Sequence, residues 1–234
     1  MIIGPTIREF AAYLANPRLI VPVPPATPGE RQRWIVMAGL YLAGLTVLGL
    51  LLSFWVRLFP VPAPEAFSGH SPWLLAVLVV GIAPACEELL FRGWLTGRPR
   101  ALWLVAMALV VAGLFACLLL HVAETAAALG VIATGVAAFA GWWRLRRLVD
   151  PPRRFVEGYR VWFALSVMVF AALHLTNYPH PTLATVPMVL PQVWAGLVFG
   201  YVRMRQGLGA SIAVHAAGNA AMLGAALLSG VLFH

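Results

Sequence analysis

Residues 73–92 read WLLAVLVVGIAPACEELLFR. The run is apolar and long enough to cross a bilayer as a helix, about 30 Å at 1.5 Å per residue. Yet it carries Glu87, Glu88 and Arg92. An ionisable group at the bilayer centre costs about 2.5–3.5 kcal/mol even on lenient insertion scales, so such groups are paired or face a wet cavity. Glu88 and Arg92 stand four apart with the acid on the N-terminal side, the favourable order for an ion pair. Glu87 is turned about 100° away from Glu88 and is thereby left available as a general base. Pro84 has no N–H to give and predicts a kink, with Gly81 adding freedom. Irregular backbone at membrane depth is tolerated where it is buried or lines a cavity, and beside two glutamates the cavity is the expectation.

Outward from this helix the chain is of the same kind. Of 234 residues 62% are hydrophobic and 10% charged, and the mean hydropathy is +0.88. The expected fold is all-α, a polytopic transmembrane helical bundle of about seven spans (six to eight). The spans are placed near 34–56, 73–97, 101–120, 122–143, 161–178, 183–202 and 209–233, with tryptophans at their ends as an interfacial belt and Trp194 as the exception. Residues 1–33 form a cytoplasmic or interfacial segment and 34–234 the membrane domain. Within 1–33, residues 6–16 read either as an amphipathic helix with Phe10, Tyr13 and Leu14 toward lipid, or as a disordered tail. The amino terminus does not read as a signal peptide, because Arg8 and Glu9 interrupt it and four prolines follow.

The net charge is +8 and every basic residue is Arg. These arginines flank spans, so topology explains them and nucleic acid is not an expected partner. Arg8, Arg18, Arg31, Arg33, Arg98, Arg100, Arg144, Arg146, Arg147, Arg153, Arg154, Arg160, Arg203 and Arg205 fall on one side if the amino terminus is cytoplasmic. Only Arg57 falls outside, together with the linkers 57–72 and 176–182. The expectation is a multi-pass protein of a bacterial inner (cytoplasmic) membrane, with the lipid bilayer as partner. The basic segment 144–160 reads as a topogenic anchor, with anionic headgroups as the alternative. Gly218, Gly224 and the Ala220–Ala226 run allow close helix approach. Without a sequence repeat, an inverted-repeat transporter is not expected.

Two further motifs sit on apolar helices. Phe170 and His174 share a face at four residues' spacing, as do His215 and Asn219. The imidazoles can orient water, carry protons or bind a metal. Asn219 can donate two hydrogen bonds to a developing oxyanion. Each motif alone is ordinary helix-packing material. Together they are the parts of a hydrolytic site.

The ordered set Glu-Glu-xxx-Arg, Phe-xxx-His and His-xxx-Asn, over roughly residues 73–225, resembles the CAAX protease and bacteriocin-processing (Abi) family of intramembrane glutamic-type endopeptidases. The resemblance implies that Glu87 is the catalytic carboxylate and His174 its partner in activating water. His215 and Asn219 would stabilise the oxyanion, with Glu88, Arg92 and Phe170 in support and no cofactor. The substrate implied is a membrane-associated protein or peptide. One departure is the pair of apolar stretches within 101–143, standing where the family has a short loop. As an inserted hairpin it returns the chain to the same side. Glu87 lies 13 residues before Arg100 and His174 lies 14 after Arg160, so both sit about 20 Å from the loop ends and their depths agree.

Other readings use the same residues. Glu87, His174 and His215 would supply three ligands to a zinc ion with one position open, although no His-Glu-xx-His signature is present. Cys86 adjoins Glu87 but points about 100° away, and Cys117 forms no CxxC with it. A non-catalytic immunity or scaffold protein is the reading from another class. Substrate, prenyl recognition and oligomeric state are left open by the sequence.

Overall fold

The computed structural model describes residues 2–64 and 69–228. Ten α-helices are described: α1 Ile3–Ala15, α2 Pro28–Leu58, α3 Pro72–Leu75, α4 Ala83–Arg92, α5 Pro99–Leu119, α6 Glu124–Leu145, α7 Arg153–Glu157, α8 Tyr159–Leu173, α9 Leu190–Gln206 and α10 Leu208–Leu228. A π-wound segment, Ala76–Ile82, joins α3 to α4, and 3-10 turns occupy His174–Asn177 and Leu183–Val189. No strand occurs among the described residues. Seven helical stretches are long and apolar enough to cross a membrane: Pro28–Leu58, Pro72–Arg92, Pro99–Leu119, Glu124–Leu145, Tyr159–Asn177, Leu183–Gln206 and Leu208–Leu228. The protein is an all-α, multi-pass membrane protein.

Local chemistry sets several boundaries. Thr27 caps α2 by accepting from the Glu30 N–H, with Pro28 at the first helical position, where its missing N–H costs nothing. Ser71 and Pro72 repeat the device ahead of α3. The second span ends at Arg92, short of the expected 97. Its last carbonyl accepts from Arg203 Nε at 3.1 Å, and the chain then turns through Gly97 at φ +69°. Of the last expected span, residues 229–233 lie outside the described residues.

The helices group into two compact units. The smaller, Gly93–Gly158, is built on the α5–α6 hairpin. Trp103 Nε1 donates to Ala137 O at 3.1 Å. Its indole lies so close to Gly141 that a Cβ there would come within 2.1 Å of the ring nitrogen. The tip carries His121 and Ala123 at positive φ, with His121 Nδ1 2.7 Å from Glu124 Oε1. Along the hairpin Leu109, Leu119, Leu129, Ile132, Val136 and Phe139 are exposed, the surface lipid would cover.

The larger unit takes the described residues of Met1–Arg92 and Tyr159–His234. Here close helix contact rests on Gly218, where an added Cβ would meet Tyr41 at 2.1 Å, and on Gly44, which lies under Trp194. Gly224 has open space around it and is no packing glycine. Several tryptophans are clasps between helices. Trp34, Trp55 and Trp194 donate their indole N–H to the carbonyls of Ala210, Ala184 and Tyr41. This explains Trp194 inside its span, since a half-buried indole N–H takes a hydrogen-bond partner.

The expected helix near 6–16 is present as α1, Ile3–Ala15, but not with the face expected. Phe10 and Tyr13 are buried against protein. Phe10 meets Trp194 and Tyr201, and Tyr13 meets Phe163 and Tyr201. The Tyr13 and Tyr159 hydroxyls are 3.2 Å apart. Glu9 pairs with Arg33 and, at 2.9 Å, with Arg205. An amphipathic face is equally suited to lipid and to an aromatic surface, and here the surface lies on α8 and α9.

Candidate functional site

The site begins with a missing hydrogen. In the π-wound segment the Ala83 N–H goes back five residues to the Leu78 carbonyl. The next carbonyl, Val79, would need the N–H of residue 84, and residue 84 is Pro. Asn219 of α10 takes the vacancy, its Nδ2 donating to Val79 O at 2.8 Å. The broken backbone thus positions the carboxamide, and one amide hydrogen remains beyond that bond.

Further along the same span, Glu88 anchors a buried network. Its Oε1 accepts from Arg92 Nη1 at 2.9 Å, both side chains being 0% exposed. The same oxygen lies 3.2 Å from His215 Nδ1, and Oε2 accepts from Ser211 Oγ at 2.6 Å. Arg92 Nε and Nη2 have no hydrogen-bond partner. The guanidinium is instead ringed by aromatic faces, 4.0 Å from the Phe170 centroid and 5.7 Å from those of Phe91 and Phe199. Cation–π attraction is stronger when desolvated and offsets part of that loss. Phe170 also touches the His174 ring edge-on, at 4.7 Å between centroids.

His215 lies flat on Phe199, at 4.5 Å and 25°, and bridges the two glutamates. An ionised Glu88 can only accept, so Nδ1 carries a proton and Nε2 is the nitrogen turned to Glu87. Nε2 is 3.7 Å from Glu87 Oε2, and that oxygen is buried with no hydrogen-bond partner. A bare nitrogen and a bare carboxylate would repel at this distance. A proton held by one of them turns the repulsion into attraction. On α8, His174 Nδ1 donates to the Phe170 carbonyl at 2.8 Å, leaving Nε2 as the free nitrogen.

Glu87, His174, His215 and Asn219 all line one cavity of about 490 Å³. Its remaining wall is largely apolar, with Leu45, Leu75 and Met188 among the residues. Tyr178, in the loop after α8, joins the wall, and burial pushes its phenol above the ordinary value. Cys86 is exposed and is not part of the wall. Among the described residues no three His, Cys, Asp or Glu side chains are grouped to hold a metal ion. As placed here, Glu87, His174 and His215 are not grouped as the three ligands of a zinc ion.

Ser211 escapes the sequence reading. It continues the four-residue rhythm of His215 and Asn219 back by one turn, and that rhythm is the signal that would have found it. Its hydroxyl holds the Glu88 oxygen that Arg92 and His215 do not.

A family model described as "Type II CAAX prenyl endopeptidase Rce1-like" matches residues 69–151 and 145–221, more than half of the chain. The first match holds the glutamates and runs through the α5–α6 hairpin. The second holds both histidine helices. No curated protein and no solved structure matches the chain.

Proposed function

Since the chain belongs to the Rce1-like family of type II CAAX prenyl endopeptidases, we propose that it is an intramembrane endopeptidase that hydrolyses a peptide bond of a membrane-associated protein or peptide with water activated by Glu87. The observation that carries this reading is that Glu87, His174, His215 and Asn219, from three spans, line one largely apolar cavity. Glu87 takes a proton from water, its carboxylate acting as base. His174, with Nδ1 committed to Phe170 O, offers Nε2 to orient that water. The hydroxide adds to the scissile carbonyl carbon, and the negative charge on the carbonyl oxygen is met by the second amide hydrogen of Asn219 and a proton on His215 Nε2. The carbon–nitrogen bond then breaks, and Glu87 returns its proton to the leaving amine. Glu88, held in turn by Arg92 and Ser211, accepts from Nδ1 and fixes the His215 ring with Nε2 toward Glu87 and the cavity.

The arginine distribution supports an amino terminus in the cytoplasm, with the bilayer as the working environment. A first probe follows from the family's description: a quenched peptide ending in a farnesylated Cys-aliphatic-aliphatic-X sequence, presented in proteoliposomes. Glu87→Gln keeps the shape and removes the base. It should lower turnover by roughly 10²–10⁴-fold with an unchanged melting temperature. Near-normal turnover in the folded variant would show that the water is activated elsewhere.

A further inference from the structure

Two residues of the cavity wall, Glu87 and Gln192, each hold a buried side-chain oxygen without a hydrogen-bond partner, Oε2 and Oε1. The first has a role in the reading above. The second has none. Gln192 stands in the first turn of α9, and residues 188–195 otherwise give the wall only Met188, Val189, Pro191 and Ala195. Asn219, His174 and His215 of the same wall are tied to protein, to Val79 O, Phe170 O and Glu88 in turn. A buried acceptor left bare in an apolar wall is destabilising unless something that enters the cavity satisfies it.

We propose that Gln192 binds the substrate's main chain, its Oε1 accepting from a backbone N–H of the peptide that occupies the cavity, with its amide nitrogen available to the adjoining carbonyl. The inference rests on the peptidase reading and deepens it. A carboxamide presents one acceptor and one donor in a plane, the complement of the N–H and C=O of an extended peptide. Gln192 therefore selects for peptide linkage and register rather than for any side chain, while the apolar wall takes the substrate's apolar groups. Because this contact is present both before and during bond cleavage, its removal acts on KM and leaves kcat alone.

The test uses the full-length protein, the quenched farnesylated peptide, and a set of the same peptide carrying one backbone N-methyl group at each position in turn. Gln192→Leu, and Gln192→Met if the first variant folds poorly, should raise KM by roughly 3- to 10-fold, the worth of one hydrogen bond, with kcat within twofold. One N-methylated peptide should lose a similar factor with the wild-type protein and lose nothing further with the variant, since both changes remove the same bond. A merely structural glutamine would not single out one position. Unchanged KM in a folded variant, or methylation penalties that multiply with the substitution at every position, overturns the assignment while leaving the peptidase reading intact. Absence of turnover by the wild-type protein overturns both.

Discussion

The helix around the glutamates and the first helix of the α5–α6 hairpin are alike by hydropathy, with 18-residue stretches averaging 2.1 within Pro72–Arg92 and 2.7 within Pro99–Leu119. Their interiors are opposite. Pro99–Leu119 has no buried residue, and its large side chains Leu109, Phe115 and Leu119 face outward. Pro72–Arg92 buries an ion pair and loses a backbone hydrogen bond, and it recruits Ser211, His215 and Asn219 to satisfy both. Apolar character puts a helix in the membrane. What it does there is decided by its few polar breaks, because each must find a partner in a medium that offers none.

The severest way to break the contrast is to unbalance the buried charges. Glu88→Gln strands the Arg92 charge among Phe91, Phe170 and Phe199, Arg92→Gln strands the Glu88 charge, and either should cost about 3–5 kcal/mol, read as lowered melting temperature and yield. Leu109→Ala on the hairpin should stay within about 0.5 kcal/mol. Equal losses at the two places would mean that the pair is not what distinguishes them.

Asn219→Ala removes two functions at once, the cap on Val79 and the proposed oxyanion donor. Turnover should fall about 10²–10³-fold with little change in KM. The double variant Asn219→Ala with Pro84→Ala returns a backbone N–H to the helix. It should recover melting temperature but not turnover. Recovery of both would reduce Asn219 to a structural cap. Cys86→Ala, exposed and off the wall, should be nearly neutral for turnover, and loss of activity with intact folding would bring the thiol into the mechanism.

The smallest effect belongs to α1. Burial raises the Glu9 carboxyl, but hydrogen bonds and charge from Arg205 and Arg33 outweigh it and hold the group below the usual carboxylate range. A lowered folded value means its contribution is fully present above the ordinary value near 4.5 and is lost as pH falls through the folded value. Protease cleavage between α1 and α2 should therefore quicken only in that acid range, and Glu9→Gln should flatten the dependence. An unchanged acid dependence in Glu9→Gln would assign it to another group.

Much of this was legible because it is local. The Glu88–Arg92 pair follows from a four-residue spacing, as do the shared faces of Phe170 with His174 and of His215 with Asn219. Pro84 announces a break without naming what mends it. The α1 face shows the limit of periodicity. Phe10 and Tyr13 form an apolar stripe that fits lipid or protein equally well, and the contacts with Trp194, Tyr201 and Phe163 lie some 150 or more residues away in the chain.

By itself, then, the sequence determined a multi-pass helical membrane protein and the motif set of an intramembrane protease family, since hydropathy and helical spacing are properties of neighbouring residues. Only the tertiary structure decided that Asn219 mends the Val79 carbonyl, that Ser211 completes the shell of Glu88, that His215 spans both glutamates, and that Gln192 is left with a bare oxygen in the cavity wall. Each of these depends on which helix faces which. That choice is made by the packing of distant segments, with Gly218 under Tyr41 and Gly44 under Trp194 setting how closely they meet.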